Sequence, residues 1–458
     1  MEKSKEQKQS AEKMGTMEVH PLLLSMAIPL IISMLVQALY NIVDSIFVAR
    51  ISEDALSAVS LVFPIQNTMI AVASGTGVGI NALISRRLGQ KRREEASQTA
   101  NVGVFLIVCS YFVFMILGLT CSGAFMRVQT EIPTIVAYGT VYMKIVTVLG
   151  FGLFGQLTLE RLLQSTGRTI FPMMTQLMGA VLNIIFDPLL IFGIGPFPKL
   201  GVAGAAFATV LGQWVAMILA IIFNYKYNHD IRLDVREMRP RGTLIKEIYK
   251  ISIPSMLMMS IGSVMTFGIN KILLGFTSTA IAVFGAYFKI QSVVFMPLFG
   301  MNNAMIPIVG YNFGAGRKDR IRKAYKIGCM YGCIFMWVGF AMMQIFPAQL
   351  LGFFNASENM LEIGIPAFRI ISIIFLVAGI SVISGAVFQA TGKSMYSLIV
   401  SFIRQLAVTL PAAYLLSLTG KLNYVWFCLP IAEVFGFTVT VILMVRLMRR
   451  LDNMMQHI

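Results

Sequence analysis

The chain has 458 residues, of which 57% are hydrophobic and only 13% charged. Soluble domains carry about 25% charged residues, so a water-soluble globule is excluded and a polytopic membrane protein is expected. The formal net charge of +16 would suit a nucleic-acid partner, but its distribution argues against one. Basic residues gather in alternate connections: the N-terminal tail, Arg86 to Arg93, Arg161 and Arg168, Lys226 to Lys250, Arg317 to Lys326, Lys393, and Arg446 to Arg450. The intervening connections hold only Arg50, Arg127, Lys199 and Lys421. This is the positive-inside bias. It predicts a multi-pass protein of the cell (plasma) membrane with both termini cytoplasmic, the lipid bilayer as partner and no nucleic acid.

Residues 1 to 19 are polar, carry Lys3, Lys5, Lys8 and Lys13, and contain no short apolar stretch that would read as a cleaved leader. The first span follows. Pro21 to Val48 is a run of 28 residues with one charge, Asp44, whereas about 20 apolar residues suffice to cross a bilayer. Gln37, Asn41 and Asp44 sit at i, i+4 and i+7, on one helix face. A carboxylate at membrane depth costs on the order of 3 kcal/mol or more, so it faces a cavity or a partner. Asp44 is therefore the candidate for the group whose protonation or ion binding runs the protein, with Gln37 and Asn41 in support. A structural carboxylate bonded to neighbouring helices is the alternative.

The later apolar runs predict spans at 55–85, 96–120, 132–157, 169–194, 201–224, 248–275, 278–312, 324–347, 360–387, 394–418 and 423–446. The expected fold is all-α with twelve transmembrane helices. It divides into a cytoplasmic tail 1–19, an N-lobe 20–225, a cytoplasmic linker 226–247, a C-lobe 248–447 and a cytoplasmic tail 448–458. Each lobe has six helices, and the two are repeats. A gapless shift of 225 residues superposes Pro29 on Pro254, Ala55 on Ala280, Gln66 on Gln291, Gly75 on Gly300 and Arg92 on Arg317. The same shift still aligns Thr166-Gly167-Arg168 with Thr391-Gly392-Lys393. An even number of spans per half gives a parallel, pseudo-symmetric repeat, the kind that holds substrate between halves. Pro29 and Pro254 lie inside the leading helix of each half and are candidate hinges.

The repeat breaks at its acids: Asp44 maps onto Ile269 and Asp187 onto Ala412. In the fifth span Asn183 and Asp187 again share a face at i and i+4. Counting from the span starts places Asp44 and Asp187 at one depth, where two carboxylates could share a proton or coordinate a sodium ion. The alternative for Asp187 is a helix kink with Pro188. The second half instead carries Lys289, Arg369 and Arg404 within its spans, and Glu433, near mid-membrane in the span adjacent to Arg404, is expected to form a structural ion pair with it. It is also rich in Met and Phe, which suit an adaptable pocket or plain packing. Gln66, Gln291, Met258 and Met301 are the candidate lining of a substrate cleft.

Several chemistries find no support. Thr391-Gly392-Lys393-Ser394 resembles the end of a phosphate-binding loop, but its upstream glycine position holds Val387. The five cysteines lack accompanying metal ligands. No HExxH or GxSxG element suggests an intramembrane enzyme. The sequon at Asn355 reads as accidental.

The sequence is similar to the multidrug and toxic compound extrusion (MATE) transporters, and most to their MepA-like group. The likeness is carried by IPLIISMLVQALYNIVDSIFVAR in the first span, QSTGRTIFPMMTQLMGAVLNIIFDPLLIFG through the fifth, GVAGAAFATVLGQ in the sixth and FQATGKSMYSLIVSF in the second half. The resemblance implies a two-lobe fold with a central cleft and secondary active efflux of organic, cationic, amphipathic drugs in exchange for H⁺ or Na⁺. It implies an ion site at Asp44, Asn183 and Asp187, with Thr209 as a fourth member, a bending proline at Pro29, and no cofactor beyond the coupling ion. A functional monomer is expected. Some members carry coupling acids on the seventh and tenth helices; here those spans offer Lys271 and Arg369, with Glu362 only at the outer end. A flippase of lipid-linked precursors on the same scaffold is the alternative function.

Overall fold

A computed structural model of the chain describes residues 11–354 and 356–454. The first half of the N-terminal tail, with Lys3, Lys5 and Lys8, and Asn355 of the sequon lie outside the described residues. Ser357 of that sequon caps a helix, accepting from the Met360 backbone N–H at 3.3 Å. Among the described residues there are helices and no strands. Eleven helices are long and apolar enough to cross a membrane, and a bent pair makes a twelfth span. That pair, Pro133–Val148 and Phe151–Ser165, bends by 43°. Gly150 sits at the break, where a Cβ would lie 2.7 Å from the Val146 carbonyl oxygen. The fourth span therefore runs on to Ser165, beyond the expected 157.

Equivalent positions of the two halves adopt equivalent local structure. Ser52 and Thr277 both cap the second helix of their half, accepting from Ala55 N–H at 3.0 Å and Thr279 N–H at 3.2 Å. Gly167 and Gly392 turn the chain with φ of 79° and 77°, a left-handed geometry that glycine adopts without steric cost.

The chain forms two compact units, and their boundaries differ from the expected lobes. One unit contains Ile32–Met256; the other contains Met17–Ile31 and Leu257–Ile458. Each leading helix is continuous through its proline, as Val19–Ala49 and Gly242–Leu274, yet changes unit two residues after Pro29 and Pro254. Packing explains the exchange. In the first unit a Cβ on Gly75 would collide with the Met256 side chain and lie 3.0 Å from its backbone nitrogen, and Ser252 donates to the Thr76 carbonyl at 3.3 Å. In the second unit a Cβ on Gly300 would lie 2.7 Å from the Ile31 backbone nitrogen. A bare glycine thus lets the borrowed half-helix approach backbone to backbone in each unit.

Polar contacts fasten the borrowed segments. Arg87 bonds Thr99 and pairs with Glu247 at 2.8 Å. In the second unit Arg320 donates to the Met17 carbonyl at 2.6 Å, Lys323 lies 3.3 Å from Glu18, and His20 is 2.8 Å from the Tyr331 hydroxyl. The connection after Tyr227 is not a free linker: Asn101 donates to the Arg232 carbonyl at 3.1 Å and accepts from the Asp234 N–H at 3.1 Å. Asp230 is buried there, 3.8 Å from Arg93; burial pushes its carboxyl above the ordinary range, against the opposing pull of Arg168 and Arg93.

The glycine contacts predict opposite signs at two helix positions. Gly300→Ala should cost about 1–3 kcal/mol by overpacking against Ile31. Gly285→Ala, where an added Cβ meets nothing within 4 Å, should instead gain about 0.5–1 kcal/mol of helix propensity. Thermal unfolding of the two variants in detergent checks both.

Candidate functional site

The interior of the first unit holds the acids. Asp44 lies on the first span and Asp187, fully buried, on the fifth (Ile170–Phe192). Their carboxyl groups lie within hydrogen-bonding reach of each other. Two carboxylates repel at that range, so their closeness needs a proton between them or a cation in its place. The oxygen Oδ1 of Asp44 is buried with no hydrogen-bond partner in the structure.

Asn183 is one turn before Asp187 and 3% exposed. With its amide oriented to satisfy both ends, its nitrogen donates to Asp187 Oδ2 at 3.2 Å and its oxygen accepts from the Thr209 backbone N–H at 3.2 Å. Its side chain also lies 3.3 Å from the Thr209 hydroxyl. The four members expected of the ion site are therefore brought together. They present carboxyl, amide and hydroxyl oxygens, a donor set suited to a proton or a hard cation.

The surroundings of this set contain residues that sequence reasoning did not single out. Tyr40 and Tyr142 stand close enough to feel both carboxyl charges. Gln66, expected in a substrate cleft, donates to the Tyr142 hydroxyl at 3.4 Å and so belongs to the shell of the acids. One turn beyond Asp44 and Asp187, Val48 and Ile191 pack with Val62, Tyr142 and Ala205 into a buried apolar cluster. Water is excluded on that side.

On the opposite side, towards the end of the unit that carries Arg86 to Arg93, lies a polar cavity of about 30 Å³. Tyr40, Gln156, Gln176, Asn183, Thr209 and Gln213 line it. Past it sits Glu160, 3% exposed, on the second helix of the bent span. Its Oε1 accepts from Gln156 at 2.9 Å and from Thr175 at 2.7 Å, and its Oε2 accepts from Gln176 at 3.3 Å. The neighbouring Arg161 bonds Gln164 at 2.9 Å and Ser74 at 3.2 Å.

The remaining expected residues are dispersed. Gln37 is half-buried and Asn41 exposed, so the polar face of the first span does not converge whole on the acids. Pro29 and Pro254 lie in unbroken helices. In the second unit Gln291 and Met258 are half-buried, whereas Met301, at 1% exposure, is packed inside and offers no surface to a substrate. Lys289 and Arg369 are exposed, with Lys289 over the Phe354 ring at 5.8 Å. Arg404 pairs with Glu433 at 3.3 Å from a π-helical turn at Ile403–Val408. Thr409 satisfies the Arg404 carbonyl there, donating at 2.6 Å.

Known proteins share this fold. The MatE profile matches the chain twice, over residues 29–189 and 254–415, in register with the internal repeat. A protein named FAD transporter from Shewanella oneidensis is 26% identical over 90% of this chain and 91% of its own. Multidrug export protein MepA of Staphylococcus haemolyticus is 24% identical over 87% and 88%. The probable multidrug resistance protein YoeA of Bacillus subtilis is 24% identical over 88% and 89%. A MATE crystal structure in complex with MaL6 has the same fold, with a TM-score of 0.91 at 24% identity over 97% of this chain and 99% of that one. A MOP superfamily transporter from Pyrococcus furiosus matches with the same values. The chain belongs to the MatE family: it is a multi-span membrane transporter of the MepA-like kind, and not an enzyme.

Proposed function

We propose that the protein is a secondary active exporter that exchanges H⁺ or Na⁺ for organic, cationic, amphipathic small molecules. The observation that carries the reading is the closeness of the Asp44 and Asp187 carboxyl groups, with Asn183 joining Asp187 to Thr209 inside one unit. A proton or sodium ion entering the pair removes net negative charge from a low-dielectric interior. The shape of the first span then answers to occupancy, bending at Pro29 as the two lobes rock. Differential affinity of ion and drug for the two facings supplies the coupling. The basic end is taken as cytoplasmic by the positive-inside bias, placing both termini inside the plasma membrane. A monomer suffices, and no cofactor beyond the coupling ion is required.

A second reading concerns the substrate. Lys289 and Arg369 are exposed within spans of the second unit, and no salt bridge to either occurs among the described residues. One relative of this chain is named FAD transporter. An anionic aromatic substrate, or the phosphate of a lipid-linked precursor, would suit these cations.

Proteoliposomes separate the possibilities. Efflux of a cationic dye should follow an imposed pH gradient, a sodium gradient, or both. Asp44→Asn and Asp187→Asn should each abolish that efflux while the purified variants remain folded. Undiminished pumping by Asp44→Asn would exclude the pair as the coupling site. Anionic export that persists in Asp44→Asn and is lost in Lys289→Ala would favour the second reading.

A further inference from the structure

Glu160 is an acid placed where charge is costly, yet the exporter reading above does not use it. It sits five residues before Ser165, at the end of the bent span, about 8 Å along the helix from the basic turn. Between it and the Asp44–Asp187 pair lies the cavity lined by Tyr40, Gln156, Gln176, Asn183, Thr209 and Gln213. Thr175 and Asp187 are twelve residues apart on one helix, about 18 Å, so no direct contact joins the acids. The cavity has room for at least one water, and its polar lining supplies the partners such a water needs.

The bonding of Glu160 accommodates both of its charge states. As a carboxylate it accepts from Gln156, Thr175 and Gln176. The Thr175 hydroxyl lies 2.7 Å from Glu160 Oε1 and also 2.9 Å from the Pro172 carbonyl oxygen. A hydroxyl donates one hydrogen at a time. When Oε1 carries a proton, it donates to Thr175, and Thr175 turns its own hydrogen to Pro172. No buried group is left unsatisfied in either state. A residue with a purely structural role needs no such alternative.

We propose that Glu160 is a second proton-binding residue of the first unit, joined through cavity water to the Asp44–Asp187 pair. The proton crosses between them on its way to the basic end. The step balances: a carboxyl O–H of the pair breaks and its proton passes to a cavity water. That water gives a proton to Glu160, and protonated Glu160 later releases it to bulk water. Glu160 is bonded by Gln156 on its own helix and by Thr175 and Gln176 on the fifth span; Gln156 and Gln176 also line the cavity, with Gln213 of the sixth span and Tyr40 of the first. Arg161 is the cation whose field acts on it. The inference rests on ion-coupled transport, and its test is separate from that reading.

Infrared difference spectra of the purified protein, taken between acid and alkaline pH, should contain a protonated-carboxyl band that moves on isotope labelling of glutamate. Glu160→Gln should remove that band, while Asp44→Asn should keep it with a shifted midpoint. Gln213→Leu removes a polar group from the cavity lining, and with it a partner for cavity water, and leaves the acid in place; it should keep the band, slow its hydrogen–deuterium exchange and slow proton-driven efflux. It also serves as the test if Glu160→Gln fails to fold. A spectrum with no titrating glutamate band assignable to Glu160, or exchange unchanged in Gln213→Leu, overturns the proposal. If Glu160 titrates but dye efflux ignores Asp44→Asn, the exporter reading fails and the proton site stands.

Discussion

Two carboxyl groups cannot lie hydrogen-bonded inside a lipid-embedded unit unless a proton or cation lies between them. That constraint organises the first unit. Asp44 and Asp187 come from different spans, so a proton or cation shared between them ties the first helix to the fifth. Asn183 and Thr209 extend the tie to the sixth. Apolar packing around Val48 and Ile191 lies one turn beyond the pair, and on the other side Asn183, which bonds Asp187, lines a polar cavity. A charge change at this point is poorly screened, because the low dielectric around it strengthens every interaction.

In the proposed exporter, the exchanged half-helices give that charge a mechanical consequence. Asp44 lies on the part of the first helix that belongs to the first unit, while Met17–Ile31 of the same helix belongs to the second. The change of unit follows Pro29, which cannot donate a backbone hydrogen bond and leaves the helix weak to bending. The seventh helix repeats the arrangement at Pro254 but carries no acid: Ile269 stands where Asp44 stands in the first. The architecture is duplicated and the ion chemistry is not.

Much of this was legible in the sequence, because lipid makes a few residues conspicuous. A single carboxylate in a 28-residue apolar run, and an Asn–Asp pair at i and i+4, are improbable unless they face one another or a cavity. The repeat offset was equally plain. Other features depend on packing and leave weaker marks. Glu160 stands beside Arg161 near a span end, where a charged pair reads as the start of a polar turn; only the fold shows it 3% exposed. Tyr142 is one aromatic among many until its hydroxyl meets Gln66. The bend at Gly150 and the π-helical turn at Arg404 leave no distinct mark in the sequence. Met301 looked suited to an adaptable cleft, and its helix face turned out to be the packed one.

The central claim is that occupancy of the Asp44–Asp187 pair is linked to substrate affinity. The most direct measurement is the affinity of the purified protein for a cationic dye as a function of pH, compared with Asp187→Asn. The account predicts affinity that rises with pH in the wild type, as the pair gives up its proton, and a markedly flatter profile in the variant. Identical profiles for the two proteins would contradict it.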